Sequence, residues 1–456
     1  MNPRATPSHR SRRGSVLIVA MLITAMLALV LGSYFNLSLT SSRQTRRTFD
    51  RDTAFHLAEA GIEEAVWSYN QKLAGSSAAW TDWNTDGVAA WKKFTDFTLT
   101  TSSTGSVKVY ASTTAPTATA KPVVVAESTV QTGTANPVTQ MIQVTLRRRS
   151  FFANGLTARN QLLFRGTNTS FDSWDSDPDR DPATSPVDYG TTTRNDRGGI
   201  ASASVDSTAA LINHASIYGY VSTGGASPQV GNDGVIGAFG SAPGTVDAAR
   251  VATDFNASLP AVAAPADGTW ISPLVSTLGS TGTTTRWRTP AITLSGKQTL
   301  TILGNVILVV TAAHGETAIS LTGQAGIIIP AGSSLTIYTA GDIKAAGNGV
   351  ANANVQPVAF QIWGTDATDA GQSITLAGNG SLKAVIYAPC GDVSLNGNGD
   401  MMGAVTARNI TLTGNAAFHY DAALSAFSDN APYGPDGWRL LGASERQAKA
   451  SLFQSW

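Results

Sequence analysis

The chain opens with a polar, basic stretch, residues 1–14, and then turns apolar without a break. From Ser15 it reads SVLIVAMLITAMLALVLGSYF, 21 residues with no charge. A helix of that length crosses the hydrocarbon core of a bilayer. A secretory signal peptide has a shorter apolar core, roughly 7–15 residues, with a small-residue cleavage site behind it. Here the run is longer and passes through NLSLTSS to Arg43, so a retained membrane helix is expected. The pattern then changes. Phe55, Ile62, Val66, Tyr69 and Leu73 fall at spacings of 7, 4, 3 and 4, which is one stripe of an α-helix, with Glu59, Glu63, Glu64 and Lys72 off it. Gly75-Ser76-Ser77 ends the stripe. Together the two patterns predict one continuous helix from Ser15 to Leu73, about 88 Å long at ~1.5 Å per residue. Its first half belongs in lipid or a filament core, its second half against a globular head.

Residues 76–150 carry that head. Large aromatics come first: Trp80, Trp83, Trp91, Phe94 and Phe97. They read as core under the helix, with a glycan-stacking surface as the alternative. Strand-like runs follow at 106–112, 123–131 and 138–146, where Ile142, Val144 and Leu146 alternate as in a half-buried strand. A small antiparallel sheet is expected. Arg147-Arg148-Arg149 reads as its solvated edge.

From residue 151 to about 425 the charges thin out and short β-branched runs alternate with Gly/Asn corners. Ile374-Thr-Leu-Ala-Gly-Asn-Gly recurs as Val393-Ser-Leu-Asn-Gly-Asn-Gly and Ile410-Thr-Leu-Thr-Gly-Asn-Ala, the first Gly of each triplet at 378, 397 and 414, intervals of 19 and 17. Such repeats predict a parallel β-helix, or β-solenoid, with the apolar rows inside and Gly or Asn at left-handed corners. Leu376, Leu395 and Leu412 should then stack in one interior row, with Thr375, Ser394 and Thr411 facing out. Two stretches read as loop insertions, 172–198 and the Pro-rich 241–290. The tail, 426–456, has helical spacing and is expected to cap an open end of the solenoid.

Composition adds exclusions. The chain has 31 Lys+Arg against 31 Asp+Glu and only 14% charged residues, so no charge excess favours nucleic acid. A hydrophobic content of 42% is too high for a disordered chain. One cysteine, Cys390, excludes an intrachain disulfide framework and a Cys-based zinc site. Four Arg precede the apolar run and Arg43, Arg46, Arg47 and Arg51 follow it, so the positive-inside count is nearly balanced. Long domains translocate largely regardless of charge, and the expected orientation is N-terminus inside, bulk outside.

The basic leader ending Arg12-Arg13-Gly14, followed at once by the apolar run, resembles a type IV prepilin leader. Ala58-Glu-Ala-Gly-Ile-Glu-Glu-Ala65 resembles the corresponding segment of PilX-type pilus assembly proteins. The resemblance covers residues 1 to about 70. It implies cleavage by prepilin peptidase between Gly14 and Ser15, the two processing residues, and the other pilins and minor pilins as partners at the inner membrane. Major pilins carry Glu five residues into the mature chain; this chain has Val19 there, which points to a minor subunit. The repeated stretch ending at Asp421 resembles the β-helical region found behind PilX-like N-termini in some pilus-associated proteins.

Chemistry is sparse. Asp175-Ser-Asp-Pro-Asp-Arg-Asp181 alternates oxygen ligands as a Ca²⁺ loop does, but Arg180 stands where an EF-hand has Gly and Pro186 where it has Glu, so a solvated turn is the expectation. Asp342, Asp392 and Asn409 share one repeat position, which marks a corner and not a carboxylate pair. His214, His314 and His419 have no metal-motif spacing, and Cys390 reads as inert. No catalytic residue, cofactor or metal is assigned.

The reading is thus a mainly β chain in five parts: a leader (1–14), a transmembrane and amphipathic helix (15–75), a small α+β head (76–150), a β-solenoid (151–425) and a tail (426–456). Its expected role is a non-enzymatic minor pilin-like component of a type IV pilus or related secretion filament, with its head outside the cytoplasm at the cell surface. The alternatives are a glycan-binding or carbohydrate-active β-helical surface protein on a pilin-like anchor, and a solenoid that polymerises end to end.

Overall fold

The protein is described from a computed structural model, which covers residues 13–73, 76–116, 120–166, 168–272, 275–346, 349–369, 371–378, 381–397, 399–415, 417–428 and 431–453. Most of the expected leader lies outside these residues. The chain is mainly β, with a long N-terminal apolar helix and a large parallel sheet, and it divides into two compact units: 1–147 with 433–456, and 148–432.

In the first unit, α1 spans Arg13–Leu73, close to the predicted limits. Its C-terminal half lies on a sheet of six strands ordered 84–85, 90–100, 103–111, 123–132, 138–148 and 433–440. The first five pair antiparallel. Ala58, Ile62, Ala65 and Tyr69 of α1 pack on Val107, Val109, Val124, Ala126, Ile142 and Val144. Phe55 and Val66 of the predicted stripe are only half-buried, and the small residues make the closest approach. Gly61 shows why: a Cβ there would lie 2.7 Å from Val109 Cγ2 and 3.0 Å from Val107 Cγ2. Trp83 is buried and Trp80 and Phe94 pack against the same cluster, as expected of core, while Phe97 is exposed.

The tail departs from expectation. Residues 433–440 complete the sheet of the first unit, and Leu441 and Phe453, flanking α2 (Ala443–Lys449), pack on its other face against Val125 and Met141. Asn70 holds this strand in place, accepting from the Tyr433 N–H at 2.7 Å and donating to its carbonyl at 3.2 Å. Residues 433–453 therefore finish the head. The segment 148–432 is an insertion between two strands of the head.

That insertion contains the 23-stranded sheet, and every pairing resolved between its strands is parallel. Its strands stack in tiers. One row runs Val251, Val221, Ile200, Leu156, Val405, Ile386, Ile362, Ile337, Leu308, Trp287, Thr269. A second row pairs Leu376 with Leu395 and Leu395 with Leu412, all buried, while Thr375, Ser394 and Thr411 between them are half-buried. Close approach explains the last of the repeat glycines. Gly414 has φ +91°, and a Cβ there would lie 2.3 Å from the Gly397 carbonyl oxygen.

The first row exposes an order the sequence did not suggest. Numbers fall from 251 to 156, jump to 405, then fall to 269. The chain thus builds one run of tiers from 156 to 252, crosses to the far end of the stack, and builds a second run from 269 to 421 that docks back onto the first. The crossing is residues 253–268, inside the stretch expected to be a loop insertion. Part of that stretch is not a loop: Thr277–Thr289 is a 13-residue strand. Residues 172–174 likewise belong to a strand, Ser170–Trp174.

Candidate functional site

The first candidate is the N-terminal half of α1. From Val16 to Leu39 the large apolar residues are exposed on every side of the helix, and the most apolar 18-residue window has none of its surface covered. A helix apolar all round requires lipid or other apolar helices around it. Two of its hydroxyls are satisfied within the helix: Thr24 donates to the Ala20 carbonyl at 2.7 Å and Ser33 to that of Leu29 at 2.8 Å. An unpaired hydroxyl in hydrocarbon would cost several kcal/mol. Gly14 and Ser15, the expected processing residues, lie in the first turn of α1. Val19 is exposed, with no carboxylate in its place.

Below the membrane-length segment the helix becomes polar. Asp50 accepts from the Thr132 hydroxyl at 3.0 Å, and Glu64 pairs with Lys92 at 2.9 Å. These contacts tie the helix to its own sheet.

In the second unit the histidines are paired with residues far away in sequence. His419 Nδ1 lies 2.6 Å from Asp172 Oδ1, and Tyr189 donates to Asp172 Oδ2 at 2.8 Å while stacking on the imidazole at 3.8 Å between centroids. Both His419 and Asp172 are buried. They occupy facing positions of neighbouring strands and are roofed by the segment after Trp174, whose indole donates to the Val187 carbonyl. Burial and the hydrogen bond to Asp172 push the Tyr189 hydroxyl pKa up. His314 Nδ1 contacts Asp366 at 2.8 Å, and His214 lies 3.6 Å from Asp233. Spacing in the sequence could not have found the His419–Asp172 pair, because register between neighbouring strands creates it.

Asp421 is buried and accepts from the Ser176 N–H at 2.9 Å, the Ser176 hydroxyl at 2.7 Å and the Ala423 N–H at 3.1 Å. Burial raises its pKa, outweighing these hydrogen bonds. In the expected turn at 175–181, Arg180 forks onto both oxygens of Asp175 at 3.0 Å. The Asp181 N–H and the Thr184 hydroxyl lower the pKa of Asp179. A guanidinium thus sits where a Ca²⁺ ion would need Asp175. Among the described residues no group of three or more His, Cys, Asp or Glu side chains is placed to hold a metal.

Of the shared repeat positions, Asp342 opens a strand, and Asp392 and Asn409 follow register shifts inside longer ones. Asp342 accepts from the Ser373 N–H at 2.8 Å in the next tier, and Asp392 accepts from Asn409 at 2.8 Å and from Arg408 at 2.9 and 2.6 Å. Cys390 is buried, 3.7 Å from an Arg159 nitrogen. Of the Arg triple, Arg147 contacts Asp436 at 3.0 Å and Arg148 donates to the Ser428 carbonyl at 3.4 Å.

Residues 276–427 match a family model described only as a domain of unknown function, DUF7305. The match begins just before the strand Thr277–Thr289, inside the second run of tiers, and ends just past that run's last strand, leaving the first run outside. No curated protein matches the chain. Among solved structures, the competence-associated pilin ComZ from Thermus thermophilus is similar at 12% identity over 86% of this chain and 97% of its own, with a TM-score of 0.24. A superposition that loose carries no argument about this chain.

Proposed function

We propose that this chain is a minor, membrane-anchored pilin-like component of a type IV pilus or a related secretion filament, acting without catalysis. One observation carries the reading: a single helix that is bare and apolar through its first half continues unbroken into a second half buried on its own sheet. Such a helix lodges in the inner membrane before assembly and among the helices of other pilins afterwards. The basic leader ending at Gly14 fits removal by prepilin peptidase, leaving Ser15 as the mature N-terminus. Val19 fits a subordinate position, because a neighbour's N-terminal amine in lipid finds no carboxylate there. In this reading the parallel sheet of the second unit winds as a β-solenoid carried outside the cytoplasm. The hydrogen-bonded Asp342, Asp392 and Arg408 support a structural role for it over a carbohydrate-active one.

The test is composition of sheared filaments. The chain should be present at far fewer copies than the dominant pilin and should be lost when residues 13–40 are deleted. Filaments built mainly of this chain, or none containing it, would overturn the proposal.

A further inference from the structure

The chain order of the tiers singles out one interface. Within the second run, successive strands are joined by corners of two to eight residues. Its tiers cannot part without pulling a strand out of the ladder. Between 156–174 and 401–421 no corner crosses at all. These two tiers are neighbours only because their strands pair, Val405 with Leu156, Leu412 with Phe164 and Phe418 with Phe171. Within the insertion the chain connects them only by the long way round, through residues 253–268; outward, the chain runs from each of them into neighbouring strands of the first unit's sheet, 138–148 and 433–440.

That crossing runs along the side of the stack. Phe255 N–H donates to the Thr223 carbonyl at 2.9 Å, Tyr387 donates to the Pro260 carbonyl at 2.7 Å, and Arg288 donates to the Ala266 carbonyl at 2.8 Å. Its contacts thus march from one end tier to the other. The row from Val251 to Thr269 contains ten strand-to-strand steps, or about 48 Å at ~4.8 Å each. The 18 residue steps between the same two residues reach at most about 59–65 Å. The strap is therefore extended but not taut, with about 11–17 Å in hand.

The interface is also where buried polar contacts gather. Across it lie His419–Asp172, Asp421 with Ser176, Thr406 donating to the Phe151 carbonyl at 2.9 Å and Tyr420 donating to the Phe152 carbonyl at 2.8 Å. Tyr189 and Ser176, which reach over it, belong to the segment between the first two tiers. Outside these tiers, Arg149 N–H donates to the Pro432 carbonyl at 3.0 Å.

We propose that this interface is a seam at which the parallel domain opens as a unit, each run of tiers staying folded while the strap limits their separation to about two or three strand spacings. The polar contacts of His419, Asp172, Asp421 and Ser176 are the latch that holds it shut. This does not depend on the pilus assignment.

Native-state hydrogen exchange tests it. In the full chain with Cys390→Ala, peptides covering 156–164 and 401–414 should exchange together, and sooner than peptides covering 334–345 and 360–364. Gln161→Cys with Asn409→Cys, paired in register across the seam, should form a disulfide that brings seam protection up to that of the interior. Asp172→Asn should accelerate exchange at the seam by roughly tenfold or more and leave the interior peptides unchanged. Equal protection at seam and interior before cross-linking would overturn the proposal. So would acceleration by Asp172→Asn spread evenly over both runs.

Discussion

Leu395→Ala measures whether the leucine row is the interior of the parallel domain, and the structure sets its size. Leu395 pairs in register with Leu376 and Leu412 and is 5% exposed. Burial alone puts such a truncation at about 2–5 kcal/mol. However, Leu395 lines a cavity of about 180 Å³, together with Leu376, Leu382, Met401 and Phe418. On that side it has no partner atoms to lose, and dispersion scales with partners. The expected cost is therefore at the low end, about 2–3 kcal/mol. Ile410, fully buried between Val393 and Leu162 and away from the cavity, should cost about 3–5 kcal/mol as Ile410→Ala. Ser394→Ala, on the half-buried row, should cost under about 0.5 kcal/mol. Urea denaturation of the three variants, with unchanged m-values, gives the ranking. A Ser394 variant that costs as much as Leu395→Ala would mean the wrong row is inside and refute the reasoning.

Gly61→Ala gains about 1 kcal/mol of helix propensity, but its methyl at 2.7 Å from Val109 forces α1 off the sheet; a net loss of about 1–2 kcal/mol is expected in thermal or urea unfolding. A stabilised variant would show the contact to be looser than drawn. Asp421 has its folded pKa raised above the unfolded value of 3.8, so the folded state holds the proton more tightly. Its contribution is fully present below the unfolded pKa and is lost as pH rises through the folded one. Asp421→Asn should remove that term, and an unchanged stability–pH slope just above pH 4 would contradict it. Deleting residues 13–40 should move the chain from the membrane fraction to the soluble fraction, and continued sedimentation with membranes would argue for a second anchor.

The helix was legible because an unbroken apolar run is followed by a helical stripe, and the repeat was legible because Leu376, Leu395 and Leu412 recur at one place in a short repeated segment. What escaped were features set by register between distant segments. His419 and Asp172 meet because their strands are neighbours in the stack, although 247 residues separate them. The docking of the second run onto the first leaves no local trace, since a tier that pairs with a distant partner looks like one that pairs with the next. The stretch 241–290 read as a loop because Pro243, Pro260, Pro265 and Pro273 punctuate it, yet Thr277–Thr289 is a long strand in which Thr277, Thr281, Thr283 and Thr284 are exposed. The tail's helical spacing belongs in part to a strand, Tyr433–Leu440, because the sheet of the first unit lacked a neighbour there. The stripe on α1 was found through its large residues, but Ala58, Gly61 and Ala65, which sequence hydrophobicity ranks low, set the distance to the sheet.

The account rests on α1 being the mature N-terminus of an anchored subunit. Mass spectrometry of the membrane-extracted protein, co-expressed with a prepilin peptidase, tests this most directly. The account predicts a chain beginning at Ser15; an intact Met1, or a cut at 33–42 behind the apolar run, would contradict it.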